Sequence, residues 1–422
     1  LDGALKSGFA RGLTPIIDGN VTIVIVAIVL MGAFGPSDGL FAKALHFVFF
    51  AFGPSTAGTI YAFGYTLLTG VLLNFVFGVF ATRVMIRGAA AIKALRNPWL
   101  YGAAKPGQEK AEKKPVDFVS LRKKFLTFSA CLMAVILLCA AVFGVHLDTE
   151  FTGGAMITLS YEGSFDQSAV QKTAAAALEN TGLTLQTGEN VATGDQTLKI
   201  SMPGTETVTT DQVEALLDSL NETYPDNNFA QLSLSNVSAA MGTKFLQKSL
   251  VAVAFALVLI LLYIALRFKN IGGLTGGMMA VLALVNDLMV VLGTFVLLRT
   301  PLDGNFIAAM LTILGYSIND TVVVYDRIRE NRALMGKKAS FEELVNRSVN
   351  QSARRTLITT ITTVMALGVL CIVAKLYGLD SIFTFAFPLM MGMISGVYTS
   401  LCVSTSAWML WSERSPKSGK KA

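Results

Sequence analysis

Cysteine, histidine and charge are all scarce in this chain of 422 residues, and each scarcity removes a class of protein. The four cysteines, Cys131, Cys139, Cys371 and Cys402, fall inside apolar runs, with none in the polar stretch 146–243. They indicate neither a disulfide framework nor a metal site. The two histidines, His46 and His146, lie far apart near the ends of apolar segments. No zinc spacing, P-loop, nucleophile elbow or dinucleotide fingerprint is present, so the sequence gives no support to an enzyme or a resident cofactor, and ATP hydrolysis would need another subunit. Charged residues make up 15% of the chain against 53% hydrophobic ones, and the mean hydropathy is +0.58. One soluble core cannot bury so much apolar surface, which makes this a polytopic membrane protein. The net charge of +6 is confined to short clusters between apolar segments and reads as topology, not nucleic-acid binding.

Eight apolar stretches, near 20–35, 58–82, 124–145, 245–266, 271–298, 305–325, 356–375 and 380–411, approach the roughly 20 helical residues needed to span a bilayer. Leu40–Phe52 is apolar but too short and reads as an interfacial or re-entrant insert at 36–54. Basic clusters from Arg83 to Lys124, at Arg267 and Lys269, from Arg327 to Arg355 and from Lys417 to Lys421 alternate to one side, which the positive-inside rule makes cytoplasmic. The stretch 146–243 then lies outside. Its periodicity predicts strand Ala155–Tyr161, helix Asp166–Asn180, strands Leu183–Val191 and Gln196–Met202, helix Thr210–Tyr224 and strand Phe229–Val237. The expected fold is an α-helical polytopic bundle carrying a small α+β, ferredoxin-like (βαββαβ) extracytoplasmic domain, a binding or force-transmitting module. Leu1–Thr14 reads as the end of a preceding segment, so the chain is expected to be the C-terminal part of a longer protein.

A weak internal repeat sets Ile17–Thr22 against Leu357–Thr362, at an offset of about 340. Past the insert, Gly70–Leu73 falls against Gly392–Ser395, at about 322. Two such halves with a working site at their junction are common in transporters.

Asp320 stands in the apolar run 308–325, where an ionised carboxylate costs roughly 2.5–3.5 kcal/mol and therefore normally faces a bundle interior. If the helix ends near Asp326–Arg327, Asp320 lies roughly 9 Å inside the hydrocarbon. Asn319, Ser317 and Thr321 supply hydrogen-bonding partners nearby. A proton-loading site and a plain interhelical hydrogen bond are the two readings. Asp287, beside Asn286 in the middle of its own span, is either a second polar site or interhelical glue. Arg354 suits headgroup snorkelling, and Arg355 suits an inward counter-charge to Asp320.

The block Leu314-Gly315-Tyr316-Ser317-Ile318-Asn319-Asp320-Thr321-Val322-Val323-Val324-Tyr325-Asp326-Arg327-Ile328-Arg329-Glu330-Asn331 resembles, over its whole length, the signature of the SecF protein-export subunit. Further matches are Glu150-Phe151-Thr152-Gly153-Gly154, Tyr263 with Arg267-Phe268, Asn286-Asp287 and Asn350–Thr356. Residues 118–412 resemble SecF and 1–90 the end of SecD, marked by Asp18-Gly19-Asn20-Val21-Thr22, as in fused SecDF proteins of the wider RND-like architecture. The implied divisions are a SecD-like segment 1–90, a cytoplasmic charged linker 91–117, a first SecF-like helix 118–145, the outer domain 146–243, a SecF-like bundle 244–412 and a basic tail 413–422. The linker's Lys-Pro-Gly and Glu-Lys-Ala-Glu-Lys-Lys-Pro suggest a fusion seam.

The resemblance implies an accessory of the Sec translocase in the bacterial cytoplasmic membrane that uses the proton-motive force to promote export across that membrane through movement of extracytoplasmic domains. Asp320 and Arg355 would lie on the proton pathway, Asp287 would be a conditional polar site, and Asn319, Thr321, Glu150, Gly153 and Gly154 would support it. The implied coupling ion is the proton. The implied partners are the Sec channel and its subunits, the N-terminal SecD half, the preprotein and a membrane insertase. Glu150 stands where the family usually has Asp, and Asn286 replaces a usual His. The alternatives are a proton-driven small-molecule exporter, against which the single small domain without His or Cys argues, and a passive translocon scaffold.

Overall fold

Inside a bilayer every backbone polar group must find a partner within the chain, so apolar runs of this length fold as helices. The computed structural model describes residues 1–53, 58–101, 115–180, 182–189, 194–204, 207–336 and 339–414. In chain order come α1 (Asp2–Phe34), the short α2 (Leu40–Ala44) and α3 (His46–Phe49), and α4 (Gly58–Leu73). Helix α4 continues through a π-helical stretch, Asn74–Ala81, into α5 (Thr82–Ala91), and α6 (Phe118–Phe143) follows. The second polar region contains α7 (Thr149–Thr152), β1 (Gly154–Tyr161), α8 (Gln167–Ala177), β2 (Thr184–Glu189), β3 (Gln196–Pro203), α9 (Thr210–Thr223) and β4 (Ala230–Val237). Four long helices return to the bundle: α10 (Ala239–Arg267), α11 (Gly273–Leu298), α12 (Gly304–Met335) and α13 (Phe341–Leu376). Last is α14 (Asp380–Tyr398), which runs through a second π-helical stretch, Thr399–Ser404, into α15 (Thr405–Arg414).

Among the described residues, eight helices are long and apolar enough to cross a membrane. They coincide with the eight apolar stretches, with two corrections at their ends. Helix α1 begins at Asp2, so Leu1–Thr14 is part of the first span's helix. Helix α12 does not stop at Asp326–Arg327 but runs on to Met335, because Arg329 pairs with Asp326 and Arg327 with Glu330 on the helix surface. The depth argued for Asp320 from a helix end at Asp326 therefore loses its anchor. The charged linker at 102–114 and the tail at 415–422 lie outside the described residues.

The two π-helical stretches support the internal repeat. An offset of 322 carries 74–81 onto 396–403, which overlaps Thr399–Ser404. Widened turns of this kind recur at functional positions in helices.

In the sheet domain the four strands are antiparallel in the order β2-β3-β1-β4. Alternation directs Ile157, Leu159, Leu198 and Ile200 to one face, where they meet Val170 and Ala174 of α8 and Val213, Leu216 and Leu220 of α9. A capping box between Thr209 and Gln212 starts α9. This core is separate from the main one, which centres on α12. Backbone bonds from Leu302 N to His146 O (2.8 Å) and from Asp148 N to Leu302 O (2.9 Å) staple the domain's entry strand to the α11–α12 loop.

Candidate functional site

Helix α12 touches a different neighbour with each of three faces, and the faces follow from its residue spacing. Toward α14, residues 313, 317, 321 and 325 recur every four positions, as one helical face requires. They meet Gly392, Gly396, Ser400 and Ser404, a small residue every four positions. A side chain at Gly392 would lie 2.8 Å from Ile313, and one at Gly396 would lie 3.0 Å from Ser317 Oγ. Thr321 and Ser400 hydroxyls are 2.8 Å apart, and Tyr325 and Ser404 hydroxyls 2.6 Å apart. Small residues at this spacing let membrane helices approach closely enough for side-chain hydrogen bonds, worth about 0.6 kcal/mol each on average. This stripe escaped the sequence reading, although Gly392-x-x-x-Gly396 carries its signal in plain spacing.

Toward α1, Thr22 Oγ1 donates to Gly19 O (2.6 Å) and reaches Gly315 O (3.3 Å). A Cβ at Gly19 would lie 1.9 Å from Asn319 Oδ1, so any larger residue there would displace that amide. Asn319, Asn20, Asn74, Thr66, Thr312 and Tyr316 contribute the polar lining of a cavity of about 520 Å³ between the two halves. Within it Asn74 Nδ2 donates to Asn20 Oδ1 at 3.4 Å, while the buried Asn20 Nδ2 has no partner in the described structure. A recess of this polarity and size admits water.

The third face carries Asp320, half-buried and turned to α13, where the Arg355 charge and the Thr360 hydroxyl act on it. Arg355 is itself exposed, as is Arg354, and no ion pair within 4 Å joins either to Asp320 among the described residues. The inward counter-charge expected at Arg355 is thus not a formed salt bridge in this conformation.

Asp287 is a different kind of site. Fully buried on α11, it accepts hydrogen bonds from Ser317 Oγ (2.6 Å), Ser395 Oγ (2.6 Å) and Thr399 Oγ1 (2.9 Å to each oxygen). Thr399 opens the second π-helical stretch, whose extra residue brings the hydroxyl over the carboxylate. Asn286 accepts from Ser129 Oγ at 2.7 Å and lies 3.5 Å from Ser395 Oγ, which ties α6 and α14 to α11. Asp287 and Asp320 therefore sit on neighbouring sectors of α12, since Ser317, which bonds Asp287, is three residues from Asp320; one carboxylate is saturated with hydroxyl donors and the other is turned toward an arginine.

A third cluster was not assembled from sequence. Asp18, buried on α1, is held by Arg267 Nε at 2.9 and 3.0 Å and by Tyr263 OH at 3.0 Å, both from α10. All three residues had been singled out, but 249 positions separate the ion pair and no local spacing links them. Arg122 of α6 bridges Glu342 (2.9 Å) and Glu413 (2.6 Å) and so clamps α6, α13 and α15.

At the other end of the bundle Glu150 Oε2 accepts from Gly304 N (2.8 Å), the first residue of α12. Gly153 and Gly154 have φ of +78° and +138°; side chains there would strike Ala239 backbone at 2.5 Å and Met202 O at 2.2 Å. The Glu-Phe-Thr-Gly-Gly run thus makes the sharp turn that sets β1 beside α10 and α12.

Spans packed around α12, interior carboxylates on α11 and α12, and a sheet domain tied to the end of α12 form the architecture of a multi-pass membrane transport component. The family description "Protein export membrane protein SecD/SecF, C-terminal" fits residues 216–414. The SecF translocase subunit of Alicyclobacillus acidocaldarius is 30% identical over 71% of this chain and 94% of its own length. The SecDF translocase subunit of Bacillus subtilis is 28% identical over 98% of this chain and 53% of its own length. The crystal structure of SecDF from Thermus thermophilus, described as a translocon-associated membrane protein, superposes with a TM-score of 0.72 at 26% identity, covering 98% of this chain and 50% of that one. The chain belongs to the SecD/SecF family of protein-export membrane proteins. It spans about half the length of the fused SecDF relatives it matches.

Proposed function

We propose that this chain forms the SecF part and the adjoining end of SecD in a Sec translocase accessory that uses the proton-motive force to promote protein export through movement of its extracytoplasmic domains. It sits in a bacterial cytoplasmic membrane, with the sheet domain on the extracytoplasmic side. The βαββαβ order and the strand order β2-β3-β1-β4 support a ferredoxin-like fold for that domain. The observation that carries the reading is Asp320: a carboxylate in a central span, with no ion pair within 4 Å among the described residues and facing Arg355 of α13. Such a group can load and release a proton, and Arg355 can take up or leave its counter-charge role as it does so. The potential supplies about 2.3 kcal/mol per charge per 100 mV, enough to shift a conformational equilibrium several tens-fold per proton. The Asn-lined cavity offers water a place between the halves. The partners are the Sec channel, the remaining SecD half and the preprotein, with a membrane insertase as a further one.

The test uses the complete protein in vesicles that export a preprotein at saturating ATP. An ionophore that collapses the proton gradient is expected to remove the stimulation due to this protein and leave ATP-driven export in place. Stimulation that persists without the gradient would contradict the proposal.

A further inference from the structure

Four charged side chains meet where the sheet domain rests on the end of α12. Lys199 projects from β3 toward Asp148 (3.4 Å) and Glu150 (3.9 Å), which flank the turn into the domain. Asp303, buried, caps α12 through Phe306 N (3.2 Å) and accepts from Asn305 Nδ2 (3.0 Å), while Glu150 bonds the next residue, Gly304. Two carboxylates thus lie within 4 Å of the Lys199 ammonium and a third, Asp303, acts on it through its charge, in a seam that includes the same helix terminus from which Asp320 descends. Lys199 is the residue in this group that belongs to a strand of the sheet. The other charged pair at this end, Lys375–Asp380 at 3.6 Å, belongs to the α13–α14 turn, where Thr187 of β2 bonds Gly378 O and Asp380 (3.1 Å) as a second hold on the domain. His146 is exposed, and Arg299 lies over the Phe143 ring.

We propose that this seam is a releasable joint between the sheet domain and α12, with Lys199 as the positioning residue that docks the domain. The proposal rests on the reading that the domain moves during export, and it names where that movement is held. Neutralising any carboxylate lowers the excess of negative charge that the docked seam must contain.

The acid–base chemistry gives the joint a sign. Burial, helped by the Glu150 charge, pushes Asp303 up to about 7, and burial also raises Glu150. Burial opposes the Lys199 charge, but Asp148, Glu150 and Asp303 hold it above its ordinary value, so it stays protonated throughout. A carboxyl raised in the docked state binds its proton more tightly there than when exposed. Docking is therefore favoured below pH of about 7 and weakens as the pH rises through that value. The dependence is at most roughly tenfold in the docked-to-released ratio per pH unit for each extra proton held.

The test measures spin-label distances in the full chain in lipid nanodiscs, with Lys172→Cys in α8 and Leu138→Cys in α6 and the native cysteines replaced by alanine. A short distance at pH 6 and a second, longer population at pH 8.5 are expected. Lys199→Met should show the longer population at both values, and Lys199→Arg should restore the original response. Asp303→Asn should stay docked at both values, while His146→Gln should respond as the original does. A distribution indifferent to pH and to Lys199→Met would overturn the joint. So would a pH response undiminished by Asp303→Asn or abolished by His146→Gln. In an Asp320→Asn background the response should persist, so failure of the proton reading at Asp320 and failure of the joint are read separately.

Discussion

Asp320→Asn in the complete protein is expected to reduce proton-driven stimulation of export on the order of tenfold or more, while the protein remains inserted and assembled. The substitution keeps size and hydrogen-bonding capacity and removes only the titratable charge. The surroundings favour that separation of effects: Asp320 is half-buried at a helix–helix seam with no ion pair within 4 Å among the described residues, and an amide oxygen can still accept from the Thr360 hydroxyl. Asp287 offers no such clean exchange, because its two oxygens accept from three hydroxyls that would have to reorient around an amide. Export assayed with a maintained gradient, alongside the amount of folded protein in the membrane, checks the prediction. Wild-type stimulation in Asp320→Asn would leave the passive scaffold as the better reading.

Arg267→Met is expected to loosen the two halves of the bundle. It leaves the Asp18 carboxylate, only 4% exposed, with the Tyr263 hydroxyl but no counter-charge. Removing one partner of a buried pair costs about 3–5 kcal/mol, and because the Arg267 side chain is 31% exposed the effect belongs near the lower end. Thermal unfolding in detergent should show a midpoint lower by several degrees, and α1 should become accessible to protease before the rest of the bundle. The double variant Asp18→Asn with Arg267→Met should recover most of the loss, since neither charge is then stranded. An unchanged midpoint in Arg267→Met would mean that packing alone holds α1 in place.

The eight spans were legible because apolar length alone specifies a membrane helix, and the strand and helix order of 154–237 because periods of 2 and 3.6 alternate cleanly there. Helix ends were less legible. The first turns of α1 and the last of α12 are polar, and their helical state comes from continuity and surface ion pairs such as Arg327–Glu330 rather than from hydropathy. Of the candidate site, the positions of the interior carboxylates could be read from cost: Asp287 and Asp320 stand out because charge is expensive in an apolar run. Their partners could not. The hydroxyls around Asp287 come from α12 and the α14 π-helical stretch, and serine and threonine in a membrane helix carry no sign of which neighbour they face. The Asp18–Arg267 pair and the Lys199 seam likewise depend on tertiary contacts between distant segments. The Gly392/Gly396/Ser400/Ser404 stripe lay in view as a spacing, but its meaning required knowing that α12 lies against it.

Protonation of Asp320 is the central claim, and infrared difference spectroscopy of the complete protein in lipid, titrated through acid and neutral pH, tests it most directly. The account predicts a protonated-carboxyl band that grows as the pH falls, is absent from Asp320→Asn and shifts its midpoint when Arg355 is replaced by glutamine. The same titrating bands in Asp320→Asn as in the original protein would contradict it.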